Sequence, residues 1–140
     1  MSQLANRKLG DRGEALVAEW LQRQGWMIVA QQWHCRWGEL DLVARYPNAT
    51  LGIAFVEVKT RRRAGIDQGG KLAITPQKQQ KLWRSAQQFL VKQPHYSDLP
   101  CRFDVALVLQ GDRPNGLLKT RHGQPILTLT EYIENAFQVG

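Results

Sequence analysis

Asp41, Glu57 and Lys59 have the types and the spacing for one kind of chemistry. Glu57 and Lys59 stand two apart at the end of an otherwise apolar run, Ile53-Ala54-Phe55-Val56, where a sheet interior normally excludes charge. Residues two apart on a strand share a face, so these two side chains point the same way. Asp41 interrupts Leu40 and Leu42 in the same manner, with Glu39 on its face. If the two stretches pair as a hairpin, Asp41 and Glu57 converge at one edge of the sheet. Carboxylates that close repel and push a pKa upward unless a cation intervenes. Mg2+ or Mn2+ resolves the conflict, since magnesium takes hard oxygen ligands and is typically held by one or two carboxylates together with substrate phosphates. Asp41 and Glu57 suit that role. A lysine two residues beyond a ligand can orient or help deprotonate an attacking water, or offset charge in a phosphorane-like transition state. Metal plus lysine is the chemistry of phosphodiester hydrolysis. Each part also has an ordinary reading: Glu-x-Lys as a cross-strand ion pair, Asp41 as a satisfied polar group at a strand end, Glu14 as the polar flank of an amphipathic helix.

The elements that must position these groups can be read from periodicity. A first helix is predicted over residues 6–24, where Leu9, Leu16, Val17, Trp20 and Leu21 fall on one arc, Glu14 lies at its edge and Gly25 is a natural left-handed stop. Three strands are predicted over 26–30, 38–45 and 51–59, the last two joined by a turn at Tyr46-Pro47-Asn48. A glycine-rich basic loop, 61–70, precedes a second helix with Thr75 as N-cap, Pro76 at its first position and an apolar face of Leu82, Ala86, Phe89 and Leu90. Pro94 ends it, and 103–109 reads as a buried strand. Beyond Gly111 the pattern suggests a short edge strand over 126–129 and a closing helix over 130–137. The fold class is therefore α/β, a mixed β-sheet flanked by helices in the order αβββαβ with C-terminal elements, and the 140 residues suit one domain spanning 1–140.

Charge singles out a partner class. The formal net charge of +7 is local: eight basic residues and one acid, Asp67, lie between Lys59 and Arg84, and the rest of the chain balances. A concentrated basic region suits a phosphate backbone, whose condensed counterions are released on binding; an acidic protein partner and a solvated, solubilising surface are the other readings. Arg61, Arg62 and Arg63 are the candidate nucleic-acid contacts, with Gln77 and Lys78 in the first turn of the second helix, where the helix N-terminus adds its own attraction for phosphate. No apolar run approaches the roughly 20 residues that cross a bilayer, and the N-terminal stretch lacks a signal-like apolar segment, so a cytoplasmic protein with no membrane partner is expected. Cys35 and Cys101 are expected to be free thiols. With His34 and His122 they lack the paired spacing of a zinc site.

The ordered set is more specific than its parts. Gly38-Glu39-Leu40-Asp41-Leu42-Val43 followed by Phe55-Val56-Glu57-Val58-Lys59-Thr60 resembles the PD-(D/E)xK, or restriction-endonuclease-like, superfamily. More narrowly it is similar to the YraN family of small bacterial proteins, related to archaeal Holliday-junction resolvases. The likeness runs from Gly10-Asp11-Arg12-Gly13-Glu14 through Thr75-Pro76-Gln77-Lys78 to Arg102-Phe103-Asp104-Val105. Leu40 stands where the superfamily's name has proline. The resemblance implies a restriction-endonuclease-like core with Asp41 and Glu57 as metal ligands, Lys59 as the catalytic lysine and Glu14 completing the site. It further implies a metal-dependent endonuclease acting on DNA, leaving a 5′ phosphate and a 3′ hydroxyl. A non-catalytic nucleic-acid-binding module of the same fold is the alternative, and the resolvase analogy adds a symmetric homodimer. Three further readings stay open: Asp104 as a structural partner of Arg102 or a group near the site, and Trp33 and Trp37, flanking His34-Cys35-Arg36, as core or as platforms for a base.

Overall fold

The computed structural model describes residues 3–47, 52–62 and 74–138. Arg63 and Lys71 of the basic window, and the rest of the predicted glycine-rich loop after Arg62, lie outside them. The elements are α1 (Gln3–Arg23), β1 (Met27–Cys35), β2 (Gly38–Arg45), β3 (Ile53–Arg61), α2 (Pro76–Lys92), a 3-10 turn (Pro94–Tyr96), β4 (Cys101–Gln110), β5 (Leu118–Lys119) and β6 (Leu127–Phe137). The six strands form a mixed sheet in the order β1-β2-β3-β4-β6-β5, with β3 and β4 parallel and the other pairs antiparallel. This is the α/β order αβββαβ expected of a nuclease-like core.

Alternation on the central strand explains the two layers. On β3, Ala54 and Val56 join the core beneath α1, whereas Ile53 and Phe55 join the core beneath α2. α1 contributes Leu9, Leu16, Val17 and Leu21, and Gly25 ends it at φ 98°, a left-handed conformation that costs glycine little. α2 contributes Leu82, Ala86 and Phe89; Thr75 caps it, its hydroxyl accepting the Lys78 N–H at 3.2 Å, and Pro76 occupies the first turn.

β2 breaks this alternation at Asp41. Leu40 belongs to the α2-side core and Leu42, two residues on, to the α1-side core, a change of phase that a regular strand forbids. On β1, Gln32 has a positive φ of 47° between the pairs Gln31 with Leu42 and Trp33 with Leu40. The β2–β3 ladder runs from Arg45 with Ile53 to Leu42 with Val56 and stops there. One step further would set Asp41 opposite Glu57. Instead, an Asp41 carboxylate oxygen accepts the Val58 N–H at 2.9 Å. The two strands thus part where their acids begin, which opens room between them.

Three expectations are corrected. The residues read as a closing helix, 130–137, belong to β6, which runs unbroken from Leu127 to Phe137. Nor is β6 at the edge: it lies between β4 and the two-residue β5. The physical reason is Asp104, wholly buried, which accepts hydrogen bonds from the Tyr132 hydroxyl (2.6 Å) and the Asn135 N–H (2.8 Å) while paired with Arg102 at 3.1 Å. Leu127 and Leu129 enter the α1-side core, and pairing with β4 overrides any local preference for helix. β1 extends past residue 30 to Cys35, so Trp33 lies in a strand and packs edge-on against Phe89 at 5.4 Å. It is a core residue.

α1 crosses β3 at Gly13, whose missing side chain leaves room for the Thr60 hydroxyl and Cβ. Gly13→Ala forces helix and strand apart and should lower stability by about 1–3 kcal/mol, read as an earlier urea midpoint. Removing the obstructing side chain in a Gly13→Ala/Thr60→Ala double variant should recover part of the loss.

Candidate functional site

Glu14, Asp41 and Glu57 line one cleft of about 700 Å3, together with Thr60, Arg61 and Arg62. Each acid arrives from a different element. Glu14 stands one residue after the close crossing at Gly13, Asp41 at the phase change of β2, and Glu57 at the first position of β3 beyond its ladder with β2. One carboxylate oxygen from each of Glu14, Glu39 and Asp41 lies within 4.8 Å of the other two. Glu57 shares the cleft but not that tight group. Glu39 is the residue whose importance the motif alone understated; its place two residues before Asp41 was the signal.

The electrostatics follow from burial and crowding. Desolvation, then the charge of Asp41, lifts the Glu14 carboxyl to about 8, against a smaller opposing effect of a hydrogen bond from Gln32. Burial raises Asp41 to about 6, opposed by the Val58 N–H bond and reinforced by Glu39. Glu57 reaches about 7 through burial and Asp41, with Lys78 and Lys59 pulling it down. Three acids on separate elements thus titrate between about 6 and about 8 in the metal-free protein. Perturbation of this kind, by desolvation together with a specific charge in a cleft, marks candidate functional sites.

The donor set fits a hard divalent cation. Glu14 Oε1 and Glu57 Oε2 are buried and have no hydrogen-bond partner among the described residues. Oxygens of acidic groups left without donors are costly unless something else meets them. A divalent cation ligated by carboxylates would satisfy both and replace the repulsion with attraction.

Cations stand around the acids. Lys78 reaches across from α2, its Nζ 3.7 Å from Glu57. Lys59 is half-buried on β3 and close enough to Glu57 to lower its pKa. Arg61 and Arg62 form part of the cleft wall; Arg61 donates to the Thr60 carbonyl (3.2 Å) and Arg62 to the Asn6 side chain (3.1 Å). Gln77 is exposed in the first turn of α2. Asp104 does not line this cleft, although it lines a small buried pocket with Asp41 and Glu57; its hydrogen-bond partners are Arg102, Tyr132 and Asn135, which is the structural pairing expected.

Residues 13–108 match the family described as Uncharacterised protein family UPF0102. The chain belongs to the UPF0102 family. Similar UPF0102 proteins include one from Acaryochloris marina (strain MBIC 11017), 48% identical over 134 residues, covering 91% of this chain and 78% of the other. One from Synechococcus sp. (strain JA-3-3Ab) is 47% identical over 133 residues, covering 95% and 93%. Another, from Thermosynechococcus vestitus, is 47% identical over 131 residues, covering 94% of each chain. The UPF0102 match begins at Gly13 and ends at Val108, so it contains the three acids of the cleft, and Lys59 and Lys78, which flank Glu57 without lining the cleft, and it stops before β5 and β6. It is the family to which the sequence motifs pointed. Among the described residues of this UPF0102 chain, no helix is long and apolar enough to cross a membrane.

The raised pKa values fix a sign for pH dependence in the metal-free protein. Glu14 has an ordinary value of 4.5 and a folded value of about 8, so between these the native state holds a proton that the unfolded state has lost. Stability from this group is present at low pH and is lost as pH rises towards the folded value. Glu57 and Asp41 act in the same direction over lower windows, ending at about 7 and about 6. In chelator, Glu14→Gln should therefore gain thermal stability relative to wild type as pH is raised from about 5 to about 8. A difference independent of pH would mean that Glu14 ionises normally.

Proposed function

We propose that this chain is a metal-dependent endonuclease that hydrolyses phosphodiester bonds in DNA. The observation that carries the reading is the pair of buried carboxylate oxygens on Glu14 and Glu57 that have no partner among the described residues, in one cleft with Asp41 and beside Arg61 and Arg62. Asp41 and Glu57 are the proposed ligands of Mg2+ or Mn2+, with Glu14 and Glu39 close enough to share the task. When bound, the cation supplies a Lewis acid for charge on the phosphoryl oxygens. Arg61 and Arg62 hold the phosphodiester over the acids, and Gln77 and Lys78 meet a neighbouring phosphate at the start of α2. Lys59, placed by alternation on the face of Glu57, presents its ammonium to the charge that builds as water attacks.

A second reading, binding of nucleic acid without cleavage, is favoured by the contact of Lys78 with Glu57, which already offsets part of the acid charge. Purified protein incubated with Mg2+ and with Mn2+ on duplex DNA, single-stranded DNA, a flap, a four-way junction and RNA separates the two. Metal-dependent cutting of at least one DNA substrate is expected. Tight binding with no cutting anywhere on the panel would replace the first reading with the second.

A further inference from the structure

The turn between β1 and β2 carries a basic and aromatic cluster outside the cleft. Arg36 and Trp37 are its two residues, between Cys35 and Gly38. The guanidinium carbon of Arg36 lies 4.7 Å from the centroid of the Trp37 ring, and that of Arg84, from α2, lies 4.6 Å from it. Both arginines are exposed, and neither has an ion-pair partner among the described residues. Two like charges gathered on one indole, with no carboxylate among the described residues in ion-pair reach of either, leave a demand for an anion. The turn is held against the helix, since the Cys35 thiol donates to the Ser85 hydroxyl at 3.5 Å. The cluster therefore keeps a fixed place relative to α2.

α2 also connects it to the acids. Lys78 touches Glu57, and Lys81 and Arg84 follow at intervals of three residues, all three exposed. Each interval is about 4.5 Å of helical rise, so Arg84 lies about 9 Å along the axis from Lys78. Phosphates of one strand recur about every 3.4 Å of axis in a stacked duplex and lie farther apart in an extended single strand, so the span is at most about three nucleotides.

We propose that Arg36, Trp37 and Arg84 form a second nucleic-acid contact, a platform that receives an unpaired segment within about three nucleotides of the acid cluster. Indole and guanidinium planes both offer faces on which a base can stack, and the two positive charges take the adjoining phosphate. A paired base hides its faces in the duplex stack, so the platform favours a strand that is single beside the point of attack. The inference rests on the proposed action on nucleic acid and adds the form of strand that is held.

The test is binding by fluorescence anisotropy in chelator, so that nothing is cut, using a labelled single-stranded DNA 12-mer, a blunt duplex and a duplex with single-stranded overhangs. Trp37→Ala is expected to weaken the single strand and the overhang duplex by roughly tenfold or more, and the blunt duplex by no more than about twofold. Trp37→Phe keeps a stacking surface and should keep the affinity, while losing the part of the tryptophan quenching on binding that belongs to Trp37. Arg84→Ala should make the slope of log affinity against log salt shallower by about 0.7 on the single strand. If wild type binds DNA and Trp37→Ala binds all three DNAs equally well, the platform falls and the proposed function stands. An equal loss on the blunt duplex overturns the selectivity for unpaired strand. Wild type that binds none of the three overturns both the platform and the nucleic-acid reading beneath it.

Discussion

Lys59→Ala is expected to lower DNA cleavage by roughly 100-fold or more while divalent-metal binding and most DNA affinity persist. The separation follows from chemistry and position. A protonated lysine cannot ligate a cation, so the carboxylates keep their metal without it. It is one charge among the eight basic residues of its window, so most of the electrostatic attraction for phosphate remains. What is lost is a positive charge on the face of Glu57, where negative charge builds as the phosphodiester is attacked. Lys59→Arg should not restore the rate, because guanidinium is larger, planar and effectively never gives up its proton. Lys78→Ala provides the contrast: Lys78 also stands beside Glu57, but at the exposed start of α2, and its loss should weaken substrate binding more than the rate at saturation. Single-turnover cleavage at saturating protein reads the two apart. Equal cutting by wild type and Lys59→Ala would remove Lys59 from the active site and assign the activity to other residues.

Much of this arrangement is legible in the residues alone, and the reason is local. The acids of β2 and β3 interrupt apolar runs, and an interruption of that kind shows in a sequence without any knowledge of the fold. The hairpin is likewise local, and its register, Arg45 with Ile53 and Leu42 with Val56, brings Asp41 and Glu57 to the point where the two strands part. Helix α2 is equally plain, because a threonine cap and a proline in the first turn mark its start whatever packs against it.

What the residues do not reveal depends on distant partners. β6 reads as a helix because the contacts that hold it extended lie about thirty residues away on β4, at a buried aspartate whose other partner, Arg102, was already visible. The change of phase at Asp41 is hidden for the same reason. Leu40 and Leu42 look like neighbours on one face, and only the two cores on opposite sides of the sheet draw them apart. That change helps bring Glu39 and Asp41 together with Glu14 from the helix, whereas strict alternation by itself predicts only the pair across the hairpin. Trp33 and Trp37 are alike by type and flank the same polar triplet. Their fates part because one lies in a strand over Phe89 and the other in a turn between two arginines.

Asp41→Asn should abolish measurable Mg2+ and Mn2+ binding, and cleavage with it, without unfolding the protein. Asparagine keeps a carbonyl oxygen at the position that accepts the Val58 N–H, so the bond that spans the parted strands survives the substitution. It removes the charge that is the largest electrostatic contributor, after burial, to the raised pKa values of both Glu14 and Glu57. Both acids should then titrate closer to their ordinary range, and metal-free stability at neutral pH should equal or slightly exceed that of wild type. Asp41→Ala makes the contrast, since it leaves the Val58 N–H without its acceptor and should cost stability as well as metal. Calorimetric titration of the cations carries a further signature. In wild type at neutral pH Glu14, and in part Glu57, hold protons that a divalent cation must displace, so the measured heat should change between buffers of different ionisation enthalpy, and affinity should rise with pH up to about 8. Glu57→Gln should weaken the same titration. If Asp41→Asn and Glu57→Gln both bind the cations as wild type does, neither residue is a ligand, and the raised pKa values reflect burial and mutual repulsion without a metal role.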